Sequence, residues 1–229
     1  RCGPLRLFQP VADAVKILMK ELIMPAKGDR LVHWIAPIIM FFAAFMVFAV
    51  FPIGKGSAGI FADLSIGILY VVAISSLAVI GIFMAGWASN NKFSLIGAMR
   101  AMAQLISYEV PMVLSIIGVV LIVGSLQMSE IVGKQTVPFL LLQPLGFLIY
   151  FIGAITELNR SPMDMIEADS EIVAGYFTEY SGMKFAMFYL AEYINTLAVA
   201  IIVATLFLSG WKGPFLPVWF WFLVKVLAV

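Results

Sequence analysis

Two glutamates stand out because the residues around them are so apolar. Glu109 is the one acid between positions 101 and 129, and Glu192 is the one charged side chain between 185 and 211. An ionised carboxylate at the centre of a bilayer costs about 2.5–3.5 kcal/mol or more, so such a group faces the protein interior, finds a partner or takes a proton. Desolvation favours the protonated acid, which suits a carboxyl group to relay protons. The alternative is a structural glutamate hydrogen-bonded between helices. Around Glu192, Tyr189 lies three residues before, and Asn195 and Thr196 lie three and four after, so all share one helical face. Around Glu109 the pattern is less regular. Arg100, Gln104, Ser107 and Tyr108 form a stripe that Glu109 opposes on an ideal helix, and Pro111 follows. Either a proline kink re-aims Glu109 or the helix carries two polar faces.

A second concentration of carboxylates lies at 157–184, which reads ELNRSPMDMIEADSEIVAGYFTEYSGMK. Glu157, Asp164, Glu167, Asp169, Glu171 and Glu179 face only Arg160 and the terminal Lys184. The usual fate of such a run is a solvated loop. Here Met163, Met165, Ile166, Ile172, Val173, Tyr176, Phe177 and Tyr180 interleave with the acids, which is too apolar for a free loop. Arg160 can pair with several of these carboxylates and set their proton affinities apart.

The elements that position these groups must be membrane spans. The 229-residue chain is 63% apolar and 12% charged, against about half and about a quarter for an ordinary soluble domain. About 20 apolar residues cross a bilayer. Spans are expected at 34–54, 66–88, 100–125, 136–156, 185–209 and 215–229, the last cut off. None alternates with period two, so the expected fold is an all-α polytopic helix bundle, a single transmembrane domain over 1–229. The chain lacks an initial Met and stops inside an apolar stretch, so it reads as a piece of a longer protein.

Lys and Arg set the orientation. Arg1, Arg6, Lys16, Lys20, Lys27, Arg30, Lys92, Arg100, Arg160 and Lys184 fall on one side, and Lys55, Lys134 and Lys212 on the other. The first side, with the acidic loop, is expected to be cytoplasmic. Residues 10–25 differ from the spans. Val11, Val15, Leu18, Met19 and Leu22 recur at helical spacing opposite Asp13, Lys16 and Lys20, which predicts an amphipathic helix at the membrane surface or against a partner.

Several chemistries are excluded within this chain. The one cysteine, Cys2, rules out thiolate-held iron–sulfur clusters and structural zinc, and the one histidine, His33, rules out bis-histidine haem. No metal, flavin or iron–sulfur cluster is expected here. A net charge of +1 implies no nucleic-acid partner. Any electrons must arrive from another subunit.

Four segments carry a resemblance to one family. ELNRSPMDMIEADSEIVAGYFTEYSG, GWASNNKFSLIGAMRAMAQLISYEVPM, FQPVADAVKILMKE and AMFYLAEYINTLAVAIIVATLFLSGW resemble motifs of the H-type (mitochondrial subunit 1-type) membrane subunit of respiratory complex I. The resemblance implies eight spans, with 34–54 as the second. It implies a narrow chamber that admits a quinone as bound substrate. It also implies neighbouring complex I subunits as partners, among them peripheral quinone-site and iron–sulfur subunits and small membrane subunits, and a bacterial plasma membrane as the location. Carried over residue by residue, Glu157, Arg160, Asp164, Glu167, Asp169, Glu171 and Glu179 match the charged loop under the quinone site. Glu109 and Glu192, with Tyr108 beside the first, match the buried proton relay. Arg6, Asp13 and Lys16 fall toward the chamber lining. Cys2, Arg6, Met163 and Asp169 depart from the usual Val, Gly, Phe and Glu. Two other readings compete: the related membrane protein of a membrane-bound hydrogenase, and a secondary proton or ion transporter.

Overall fold

The computed structural model describes residues 9–52, 54, 61–160, 163, 175–213 and 217–229. Among these residues the secondary structure is helical throughout, with no strand. The reason is the one that governs any chain in lipid: backbone polar groups that cannot reach water must bond within their own segment.

In chain order the helices are α1 (Gln9–Leu18), α2 (Arg30–Met46), α3 (Gly67–Ala88), α4 (Lys92–Val123), α5 (Met128–Lys134), α6 (Phe139–Leu142), α7 (Pro144–Glu157), α8 (Gly182–Leu206) and α9 (Val218–Ala228). A 3₁₀ turn, Val47–Val50, extends α2, and another, Gly175–Phe177, precedes α8. Four stretches are long and apolar enough to cross a membrane: Arg30–Val50, Gly67–Ala88, Lys92–Val123 and Gly182–Leu206. Local chemistry sets their ends. The Asp29 carboxylate accepts the Leu31 N–H at 3.2 Å and so caps α2, and Asn91 Oδ1 accepts the Phe93 N–H at 3.0 Å and caps α4. Gly124, at φ +73°, closes α4 in the left-handed conformation that suits glycine.

Three expected boundaries need correction. The amphipathic helix ends at Leu18 and not at 25. Beyond it the backbone turns outward to bond elsewhere: Ser181 Oγ accepts the Ile23 N–H at 2.9 Å and donates to the Glu21 carbonyl at 2.8 Å. The third span starts at Lys92, eight residues before 100, because Asn91 supplies a cap there. The span expected at 136–156 is broken at Gln143, where α6 stops and Pro144 opens α7. Proline has no N–H to donate and is best placed in a first helical turn.

Helix α2 packs against α3 and α8, α3 against α4, α4 against α7, and α1 and α9 against α8. Two apolar clusters result. One gathers Val119, Ile131, Tyr150, Val203 and Phe207. The other gathers Ala36, Ala85, Ala98, Ala101, Tyr176, Phe188 and Ala191. The alanines of the second let backbones approach closely, which is how helices gain packing energy when lipid is as apolar as they are. One such close approach is between Gly97 of α4 and Gly175, itself at φ +60°. A Cβ on Gly97 would lie 2.9 Å from Gly175 Cα. Large apolar side chains such as Leu69, Ile106, Leu114 and Leu121 point outward, as lipid-facing residues do.

Candidate functional site

The seam between the two apolar clusters holds two small adjoining cavities. One, of about 40 Å³, is lined by Glu109, Glu157, Glu192, Ser75 and Asn195 among apolar residues such as Met40, Leu105 and Met112. The other, of about 60 Å³, shares Ser75, Glu109, Met112, Glu157 and Asn195 and reaches Tyr150 and Val71. A water needs at least about 10–15 Å³ and two or more polar partners. Both spaces therefore suit a few waters and are too small for a ring-sized ligand.

Three helices deliver the three carboxylates. Glu109 comes from α4, where Leu105 and Met112, four before and three after, line the same cavity. Glu157 is the last residue of α7. Glu192 comes from α8, with Asn195 three residues on. Fixed donors hold two of them. Ser76 Oγ of α3 donates a hydrogen bond to Glu109 Oε1. Tyr176 Oη donates to Glu192 Oε1 at 3.2 Å. Tyr176 itself is held by the close contact of Gly97 with Gly175 and by Ser94 Oγ, which donates to the Tyr176 carbonyl at 3.0 Å.

Helix α4 runs on through Pro111 and carries two polar faces. Glu109 looks toward α3. Gln104 looks toward α7, where its Nε2 donates to the Thr156 carbonyl at 3.2 Å and the Met163 carbonyl at 3.0 Å. Ser107 is exposed and bonds its own helix at Ala103. Tyr108 is half-buried and lines neither cavity.

The other expected residues are dispersed. Arg160 is exposed, with its guanidinium 5.8 Å from the centre of the Tyr193 ring. Glu179 accepts a hydrogen bond from Asn91 Nδ2 at 2.7 Å and borders a wide cleft that also meets Lys27 and Lys92. Asp13 and Lys16 lie exposed on α1, Asp13 bonded to Gln9 at 3.2 Å. Arg6, Asp164, Glu167, Asp169 and Glu171 lie outside the described residues. Among the described residues no group of three His, Cys, Asp or Glu is arranged to hold a metal ion.

Sequence reasoning missed Ser76, Tyr176 as a partner of Glu192, and the burial of His33 and Lys184. A signal for Ser76 existed, because Ser75–Ser76 is the one pair of adjacent hydroxyls in an uncharged span. Lys184, counted as a charge that sets topology, is in fact 1% exposed.

Comparison with known proteins gives a consistent answer. A family model described as NADH dehydrogenase matches residues 1–229. The chain is 57% identical over 229 residues to the H-type subunit of NADH-quinone oxidoreductase from Dehalococcoides mccartyi (strain CBDB1), covering 100% of this chain and 64% of that protein. It is 50% identical to the protein of the same name from Carboxydothermus hydrogenoformans, covering 100% of this chain and 66% of the relative. It is 49% identical to the one from Protochlamydia amoebophila, covering 99% and 72%. The chain thus spans about two thirds of the length of such relatives.

Proposed function

We infer function from a fixed premise: the chain belongs to the NADH dehydrogenase family, and the relatives it matches are named as the H-type subunit of NADH-quinone oxidoreductase. We propose that it serves as a membrane component of a proton-translocating NADH:quinone oxidoreductase in a bacterial plasma membrane. In that role it contributes to the quinone-access chamber and carries the first acidic relay between quinone reduction and proton movement. Its partners would be the peripheral quinone-site and iron–sulfur subunits and the small membrane subunits beside it. The names of the relatives favour this reading over a hydrogenase component or a separate transporter.

The observation that carries the proposal is the convergence of Glu109, Glu157 and Glu192 on water-sized cavities between helices. Carboxyl groups bridged by one or two waters can pass protons by breaking and remaking O–H bonds, with each acid returning to its starting state. Ser76 and Tyr176 donate hydroxyls to two of the acids and so fix where those carboxyl groups point. The quinone, as substrate, would sit outside these cavities, toward the Glu157–Glu179 segment. The chain would supply no redox centre.

The test is Glu192→Gln and Glu109→Gln in the complete complex in native membranes, with quinone reduction and proton uptake measured together. Each amide keeps the shape and loses the proton site. The expected result is a severalfold fall in protons moved per electron. Unchanged pumping in both variants would remove these residues from the pathway.

A further inference from the structure

Away from the glutamate cavities, a second group of ionisable side chains is fully enclosed. Lys184 in the first turn of α8 is 1% exposed, and His33 in the first turn of α2 is 0% exposed. Lys184 Nζ lies 2.9 Å from His33 Nδ1 and 4.0 Å from the centre of the Trp34 ring. The imidazole stacks on Tyr180 with centroids 4.0 Å apart and planes 7° from parallel. Among the described residues, His33 Nε2 is buried with no hydrogen-bond partner. Glu179 precedes Tyr180 in the chain, and its carboxylate accepts from Asn91 Nδ2 at 2.7 Å.

The chemistry of the two nitrogens limits what this pair can be. An ammonium only donates, so Nδ1 accepts from it only when the imidazole is neutral with its proton on Nε2. The reverse arrangement, a neutral amine accepting from a charged imidazole, carries the same total charge. Protonating both would set two cations 2.9 Å apart in a water-poor site. With the shared proton gone, a neutral amine can still donate to Nδ1. The pair therefore alternates between charge zero and charge plus one.

Its surroundings bear on which. The Trp34 face, 4.0 Å from Lys184 Nζ, attracts a cation. Burial pushes the Tyr180 hydroxyl up from its ordinary range, so it stays protonated and does not compete. Of the other elements packed here, α3 has Tyr70 as its one ionisable side chain, bonded to the Met46 carbonyl at the far end of α2. Helix α1 has Asp13 and Lys16, both exposed.

We propose that Lys184 and His33 form a buried one-proton site, separate from the three glutamates, that takes up and releases a proton at the contact between α2 and α8. A plain staple between two helices would have the same distances but would not titrate. The link to pumping rests on the function proposed above; the site itself does not.

The deciding measurement is the melting temperature of the solubilised complete complex, parent against Lys184→Met, followed from about pH 6 to about pH 9. If the pair takes up or releases a proton in this range, the difference between the two proteins changes with pH. A difference that stays constant overturns the proposal. Should Lys184→Met not assemble, His33→Phe, which keeps a ring stacked on Tyr180, supports the same comparison. Proton pumping in membranes then reads the link. Lys184→Arg holds its charge at all pH, so a limb of the pH profile should move by about one unit, a tenfold change in proton affinity. An arginine variant with the parental profile sinks the link. Intact pumping in both Glu192→Gln and Glu109→Gln would defeat the earlier reading while leaving the melting result to stand by itself.

Discussion

Glu192 and Glu109 share a cavity but not a partner, and the difference can be measured. Tyr176 gives Glu192 a phenol at 3.2 Å, whereas Ser76 gives Glu109 a hydroxyl from another helix. Hydrogen bonds to charged groups contribute about 1.5–3 kcal/mol, and leaving a buried acceptor unsatisfied costs in the same range. Tyr176→Phe and Ser76→Ala should each slow proton movement by about tenfold while the complex still assembles, as read from pumping normalised to the amount of this protein in the membrane. Tyr180→Phe is the matched control. Among the described residues its hydroxyl reaches only the Ala85 carbonyl, at 3.5 Å, and burial raises its pKa, so the group does not lose its proton near neutrality. The expected result is a pH profile of activity unchanged from the parent. At this scale the sequence was informative about which acids lie among apolar helices, because a lone carboxylate in an apolar run is visible in one dimension. It was silent about Ser76 and Tyr176, since no local rule says which hydroxyl will meet an acid 33 residues away on α4 or 16 residues away on α8.

Helices of this kind are held by contacts between small residues, so the sensitive elements are those where two backbones nearly touch. Gly97 against Gly175 is the critical case. Any side chain there meets main chain at 2.9 Å and must push α4 away from the turn that carries Tyr176. Overpacking of this sort costs about 1–3 kcal/mol. Gly97→Val should therefore lower the melting temperature and the yield of assembled complex, and it should impair pumping in the fraction that does assemble. The long apolar helices were legible from hydropathy alone. The break at Gln143 was not, because Gln143–Pro144 sits inside a run apolar enough to read as one span, and only the geometry of α6 against α7 separates the two readings. The shortened α1 was hidden for another reason. Its periodic residues continue to Leu22, but Ser181, far away in sequence, captures the backbone at Glu21 and Ile23.

For the whole molecule, the charge asymmetry makes a simple statement about sidedness. With Lys92 on the richer side and Lys134 on the poorer, a single cysteine placed at each should react with an impermeant reagent from opposite faces of sealed membranes. Labelling of both from one face would invert or break the proposed topology. The acidic segment is the part least recoverable from sequence. Nothing local says that Glu157, at its start, lines a cavity with Glu109 and Glu192 while Glu179, near its end, turns to Asn91.

Helix α4 has 32 residues, about 48 Å at 1.5 Å each, against a hydrocarbon thickness of about 30 Å. Its first turn is capped by Asn91, the residue that grips Glu179, and Glu109 lies 18 positions further along the same rod, about 27 Å away. A continuous helix of this kind is stiff along its axis. One continuous helix therefore joins the Asn91–Glu179 contact to Glu109, so a displacement of its first turn would be felt along the axis at the glutamate.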